Sequence, residues 1–263
     1  MSLGTQVAAN LPYLRRYARA LTGSQASGDA FVRATLEAAL ADNELKAALA
    51  DGKVPLYRAF NQIWSSACED APKANAASQH ESAAQDRLRR VTPLNRQALL
   101  LTTLEGFSAE DAGAIMGLAA AEVENLVRDA VEEIDRESTT SVLIIEDEPL
   151  ISMQLEDLVS SLGHEICGTA ATRTQAREVA AENSPGLVLA DIQLADGSSG
   201  LDAVDDILGM GSVPVIFITA YPERLLTGDR PEPTYLVTKP FKEAAVRTAI
   251  SQALFFGSSR PLA

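Results

Sequence analysis

Three short runs of continuous apolar residues, each closed by a polar side chain, constrain the C-terminal half of this chain more than any other feature. They are Val142-Leu-Ile-Ile-Glu146, Leu187-Val-Leu-Ala-Asp191 and Val213-Pro-Val-Ile-Phe-Ile-Thr219. A run without apolar–polar alternation must be covered on both faces, which is the situation of strands inside a parallel sheet. Helical patterns lie between and after the runs, over 149–162, 172–183, 200–209 and 242–256, and weaker strands fit 164–169 and 235–238. The pattern predicts five βα units in a doubly wound α/β domain, with ligands taken at the C-terminal ends of the strands.

The first half reads differently. It is rich in Ala and Leu, carries apolar residues at helical spacing and contains no convincing strand, and the two styles meet near Ser138-Thr139-Thr140. Residues 10–22 (Leu11, Leu14, Tyr17, Ala18, Leu21) and 28–40 (Phe31, Val32, Leu36, Leu40) form amphipathic helical patterns, and a third runs through Leu56, Ala59, Phe60, Ile63 and Trp64. The polar, aperiodic stretch around 70–84 reads as a linker. The expected organisation is therefore multidomain: an all-α region in two parts, 1–68 and 86–137, joined by a linker over 69–85, followed by the α/β domain over 141–258.

Charge narrows the function classes. The chain carries 22 basic and 36 acidic residues, a formal net charge of −14. Up to Thr140 there are 14 basic and 19 acidic residues (net −5), and beyond it 8 and 17 (net −9). Neither half has the basic excess that phosphate-backbone binding draws on, although a local patch could still serve. Apolar stretches fall short of the roughly 18–20 residues that cross a bilayer. The N-terminus lacks a basic-then-apolar leader, so the expected compartment is the cytosol. Cys68 and Cys167 have no partner-like spacing and are expected to be reduced packing residues.

Chemistry gathers at the strand ends. The first strong strand closes on Glu146-Asp147, the second on Asp191 and the third on Thr219, and Lys239 follows the last strand in Thr238-Lys239-Pro240-Phe241. A parallel sheet brings all these ends to one edge. Three carboxylates there repel one another unless a cation neutralises them, and an oxygen-rich site of this kind suits Mg²⁺. With the charge offset, Asp191 can attack phosphorus to give an aspartyl phosphate, with Lys239 and Thr219 facing the phosphoryl oxygens. Alone, each residue is commonplace: an Asp at a strand end is usually a turn residue or a cap. Their order and shared position give them weight. His80 and His164 are isolated and make no metal site.

At these residues the second half resembles the receiver domain of two-component response regulators, through 142–149, 189–194, 218–220 and 238–241, with separations of 44, 28 and 20 residues between Asp147, Asp191, Thr219 and Lys239. The resemblance implies phosphorylation of Asp191 by a histidine kinase or phosphotransfer protein. It implies metal ligation by Asp147, Asp191 and the backbone carbonyl of Gln193, with Glu146 acting through water. Gln193 stands where the family often has Met. The proline-rich segment 221–234 predicts a short or irregular fourth helix, Tyr235 fits a switch aromatic or a packing role equally, and Phe217–Glu223 resembles an atypical receiver subgroup.

Residues 91–135 have a helix-turn-helix pattern: a helix ending at Gly106, capping-box spacing in Ser108-Ala-Glu-Asp111, a turn at Gly117 and a longer helix from about Ala120. The segment 106–117, with 92–101 before it, resembles region 4 of extracytoplasmic-function sigma factors, and 10–65 more weakly resembles region 2. A DNA reader needs cationic and amide side chains on its second helix. Here that helix carries Glu122, Glu124, Asp129, Glu132, Glu133, Asp135 and Glu137 against Arg128 and Arg136, either a solvated face or a surface turned over to a protein partner. The region 2-like part lacks a basic-aromatic cluster, and its Trp64 reads as core.

Across nearly its whole length the chain resembles the PhyR family, in which a sigma-like region precedes a receiver. That resemblance implies a cytoplasmic response regulator, not an enzyme. Once phosphorylated, it would mimic a sigma factor and sequester a NepR-like anti-sigma factor in the general stress response. The unphosphorylated receiver would pack on the sigma-like region and hide the docking groove, whose residues within 1–137 the sequence leaves unassigned. No DNA or membrane partner is expected. The rival readings are a DNA-binding regulator with a C-terminal receiver, and an aspartyl-phosphate phosphatase. The second would need an acid two residues beyond Asp191, where Gln193 stands.

Overall fold

The computed structural model describes residues 3–69, 94–134, 139–194, 196–222, 225 and 233–257. The chain divides into two compact units, Met1–Val131 and Glu132–Ala263.

The first unit is all helical among the described residues: α1 (Leu3–Thr22), α2 (Gln25–Ala41), α3 (Asn43–Ala48) with a 3₁₀ turn at Leu49–Asp51, and α4 (Lys53–Glu69). These are followed by α5 (Leu94–Leu99), which runs on into a π-helical turn at Leu100–Leu104, then α6 (Ala109–Met116) and α7 (Ala120–Ile134). Helix α1 begins several residues before the apolar pattern at 10–22. The short α3 has no apolar stripe to announce it; the Asp42 carboxylate caps it by accepting from the N–H groups of Glu44 and Leu45. Ser108 caps α6, its hydroxyl accepting from the Asp111 N–H at 3.1 Å, as its spacing predicts. Gly117 closes α6 in the left-handed region at φ +73°, where a Cβ would be strained. The expected linker lies largely outside the described residues.

The core of this unit is built from both sides of that linker. Leu14, Tyr17, Leu21, Leu56, Tyr57 and Phe60 are buried, as are Leu99, Leu100, Leu101, Ile115 and Val123. Helix α4 packs on α6, and α1 meets the π-helical turn. Trp64 is a core residue, edge-on to Phe31 at 4.9 Å between ring centroids.

The second unit alternates β1 (Ser141–Ile145), α8 (Pro149–Ser161), β2 (Glu165–Ala170), α9 (Arg173–Asn183), β3 (Leu187–Ala190), α10 (Gly200–Leu208), β4 (Val215–Thr219), β5 (Tyr235–Thr238) and α11 (Glu243–Gly257). All strands are parallel, in the order β2-β1-β3-β4-β5. Along β1, Val142, Leu143, Ile144 and Ile145 point alternately to opposite faces and all four are fully buried, which is why this strand shows no alternation in sequence. The chain reverses its winding between β1 and β3, and a ligand crevice opens at that reversal, on the C-terminal edge. Among the described residues no helix is long and apolar enough to cross a membrane. Most of the expected irregular fourth helix, over 223–232, lies outside the described residues.

Candidate functional site

Register delivers the side chains to the crevice. Ile145 pairs with Ala190, so the next residues of β1 and β3, Glu146 and Asp191, leave the sheet side by side. The Asp191 N–H donates to the Ile145 carbonyl at 2.8 Å, and the Glu146 N–H donates to the Ala170 carbonyl at 2.9 Å. Thr219 pairs with Thr238, and the Lys239 N–H then donates to the Thr219 carbonyl at 2.8 Å. The Lys239–Pro240 peptide is cis.

The Lys239 ammonium is the centre of the cluster. Its Nζ donates to Asp191 Oδ2 at 2.7 Å and to Glu146 Oε1 at 3.0 Å, and it lies 2.8 Å from Glu146 Oε2. Glu148 Oε1 is 3.7 Å away. The other Asp191 oxygen, Oδ1, accepts the N–H of Ile192. Burial raises the pKa of Glu146 above the ordinary carboxylate range; the hydrogen bond and charge of Lys239 oppose that shift, and the Asp191 charge adds to it. Burial alone would lower the Lys239 pKa, but hydrogen bonds to Asp191 and Glu146 and their charges outweigh it, so the ammonium is held more firmly than in a free lysine.

Of the expected residues, Glu146, Asp191, Thr219 and Lys239 reach this edge. The fully buried Thr219 turns its hydroxyl to the N–H of Tyr221, at 3.1 Å. Gln193 is exposed and its backbone bridges to Ser199 in the loop after β3. Asp147 is half-buried and stands outside the three-carboxylate group; the third member is Glu148, whose oxygens come within 4.8 Å of those of Glu146 and Asp191. Sequence reasoning missed Glu148, although it directly follows the acidic pair. Three carboxylates around one ammonium leave negative charge uncompensated, and hard oxygen donors of this kind fit Mg²⁺.

Gly200 opens α10 where the chain folds back over Asp191. A Cβ on it would come within 1.7 Å of the Asp191 carbonyl oxygen, and its N–H donates to the Ile192 carbonyl at 2.7 Å. No side chain fits there.

The helical unit holds a second buried polar centre. Glu105 follows the π-helical turn and its side chain is fully buried. It accepts from Arg16 Nε at 2.9 Å and from the Tyr57 hydroxyl at 2.7 Å, while Lys53 Nζ lies 3.5 Å from its Oε2 and donates to its backbone carbonyl at 2.9 Å. Helices α1 and α4 are thereby tied to the end of α5. On α7, Glu122, Glu124, Asp129, Glu132 and Glu133 are exposed, Val123 and Ala130 are buried, and the Glu122 carboxylate accepts the N–H of Ala119 at 2.8 Å. Tyr235 is buried and donates to the Gln252 carbonyl at 3.3 Å, while His164 is buried with its Nδ1 accepting the Thr140 N–H at 3.3 Å. Cys167 is a free thiol.

Three family models match the chain: the sigma2 domain of PhyR over 7–61, the sigma-like domain of response regulator PhyR over 88–137, and the response regulator receiver domain over 142–251. The phyllosphere-induced regulator PhyR of Methylorubrum extorquens is 55% identical over 260 residues, covering 98% of this chain and 97% of its own length. The chain belongs to the PhyR family. Two solved PhyR structures carry the likeness into three dimensions. The response regulator PhyR from Brucella abortus matches at 47% identity and a TM-score of 0.82, covering 98% of this chain and 96% of its own. The anti-anti-sigma factor PhyR from Bartonella quintana matches at 48% identity and 0.84, covering 98% and 97%. Membership makes the strand-end cluster a receiver's acidic pocket and the first unit a PhyR sigma-like region.

Proposed function

We propose that this chain is switched by phosphorylation of Asp191 and that the switched form sequesters a NepR-like anti-sigma factor through its sigma-like region. The observation that carries the first part is the Lys239 ammonium, 2.7 Å from Asp191 and bonded to Glu146 at the strand reversal of a receiver fold. The second part draws on the likeness to the Bartonella quintana anti-anti-sigma factor and on the acidic α7, which a polyanion would avoid.

Asp191 offers one oxygen as nucleophile while the Ile192 N–H holds the other, so the carboxylate is oriented before a donor arrives. Lys239 can follow the transferred phosphoryl oxygens without leaving its contact with Glu146. Thr219 has a hydroxyl at the same edge; exchanging Tyr221 for a phosphoryl oxygen would transmit occupancy to the β4–β5 side of the domain. Glu146, Asp147, Asp191 and the Gln193 carbonyl would hold Mg²⁺, with Glu148 at hand. When bound, the ion supplies the positive charge that offsets carboxylates and phosphoryl oxygens together. Phosphorylation turns the −1 carboxylate of Asp191 into an acyl phosphate of about −2, a net gain of about one negative charge that can bias a two-state equilibrium of the chain by a few kcal/mol. The phosphodonor protein would be a histidine kinase or phosphotransfer protein.

The test is capture of a NepR-type anti-sigma factor by wild type and Asp191→Ala, each with and without acetyl phosphate. Wild type should capture it only after phosphodonor treatment, and the variant under neither condition. Equal capture by both proteins in every condition refutes phosphorylation as the switch. A salt-sensitive shift of promoter DNA by the chain would favour a transcriptional regulator instead.

A further inference from the structure

We propose that Glu148 sets the charge preference of the pocket for its phosphoryl donor, holding back small dianionic donors; this rests on Asp191 being the phosphoacceptor. Glu148 is the outermost member of the cluster: its side chain is 63% exposed, against 1% for Glu146, 10% for Asp191 and 8% for Lys239. It is nevertheless anchored, with its N–H donating to Glu146 Oε1 at 3.3 Å and its carboxylate 3.7 Å from Lys239 Nζ. Its backbone occupies the N-cap position of α8, yet its side chain makes no capping hydrogen bond, so the carboxylate is not engaged by the helix. It stands on the solvent side of the cluster as a negative charge close to Lys239.

Any donor must bring phosphorus to Asp191 past that charge. In the transfer from acetyl phosphate, a bond forms between an Asp191 carboxylate oxygen and phosphorus as the bond from phosphorus to the acetyl oxygen breaks, and acetate leaves with the electron pair. With phosphoramidate the phosphorus–nitrogen bond breaks instead, and the already protonated nitrogen leaves as ammonia. Near neutral pH the first donor is a dianion and the second a monoanion. The Glu148 carboxylate, with an oxygen within 4.8 Å of one on Asp191, opposes the dianion about twice as strongly as the monoanion, and salt screens it over a Debye length of about 8 Å at physiological ionic strength. A protein donor compensates with docking contacts of its own, so Glu148 slows small acyl phosphates relative to such a donor without barring them.

The experiment measures phosphorylation rates of full-length wild type, Glu148→Gln and Glu148→Asp with each donor, over a series of Mg²⁺ concentrations up to saturation and at several salt concentrations. At low salt Glu148→Gln should accelerate with acetyl phosphate by about three- to fivefold and with phosphoramidate by about twofold, and the advantage should vanish near 1 M salt, where the Debye length is about 3 Å. Glu148→Asp, which keeps the charge, should behave as wild type. Equal rates for Gln and wild type with both donors at low salt overturn the proposal while leaving Asp191 as the acceptor. So does a slower Gln variant restored by extra Mg²⁺, which would make Glu148 a cation ligand. Absence of label on every protein with either donor overturns both this proposal and the reading beneath it.

Discussion

Replacing Glu105 by Gln should loosen the helical unit by removing the one carboxylate on which α1, α4 and the π-helical turn converge. The side chain keeps its size, so the cost is electrostatic. Arg16, whose side chain is 7% exposed, keeps its charge and loses its counter-charge. Breaking a buried pair from one side costs about 3–5 kcal/mol. The lower end applies here, because Arg16 still donates to the Leu104 carbonyl at 3.0 Å and the other cation, Lys53, is 32% exposed. About 3 kcal/mol is a large share of the 5–15 kcal/mol that holds an ordinary domain together. With a urea dependence of about 2 kcal/mol per molar for a unit of this size, the midpoint should fall by about 1.5 M. The chain's single tryptophan, Trp64, lies in this unit's core, so its fluorescence follows the right transition in the full-length protein. In the double variant Arg16→Gln/Glu105→Gln, no charge is stranded and most of the loss should return. A single-variant shift below about 0.3 M, or a double variant whose losses simply add, would refute the clasp as a charge-dependent contact.

Gly200→Ala should dislodge the loop after β3, because its methyl would sit within 1.7 Å of the Asp191 carbonyl oxygen; faster amide exchange over 192–200 and lost phosphorylation by acetyl phosphate are the expected readings. Normal labelling would show that the loop yields at little cost. The raised pKa of Lys239 has a definite sign in stability: its contribution is fully present below the pKa of an unfolded lysine and is lost as pH climbs through the higher folded value. In metal-free protein, the stability gap between wild type and Lys239→Met, followed by circular dichroism in urea, should stay level through neutral pH and close only in the alkaline lysine range.

The acidic pocket was readable because strands buried on both faces must be apolar throughout, so the first polar residue marks where each strand leaves the sheet. Glu146, Asp191, Thr219 and Lys239 all stand at such points, and the pairings of Ile145 with Ala190 and Thr219 with Thr238 bring them to one edge. The same logic gave no hint that Glu148, and not Asp147, joins the three-carboxylate group, because which way a side chain turns after a strand depends on the loop and on where Lys239 reaches. Gly200 was legible only as a helix start; its near-contact with Asp191 exists once the loop has folded back.

By itself, then, the order of residues determined the α/β alternation, the strand-end chemistry and the capping of α6 by Ser108, since burial periodicity and capping act over a few neighbours along the chain. Tertiary structure alone decided that Arg16, Lys53 and Tyr57 meet Glu105, across sequence separations of 48 to 89 residues. A charge reads as a solvated surface residue until the fold withdraws water from it, and only the packed chain shows which charges have been taken inside and what compensates them.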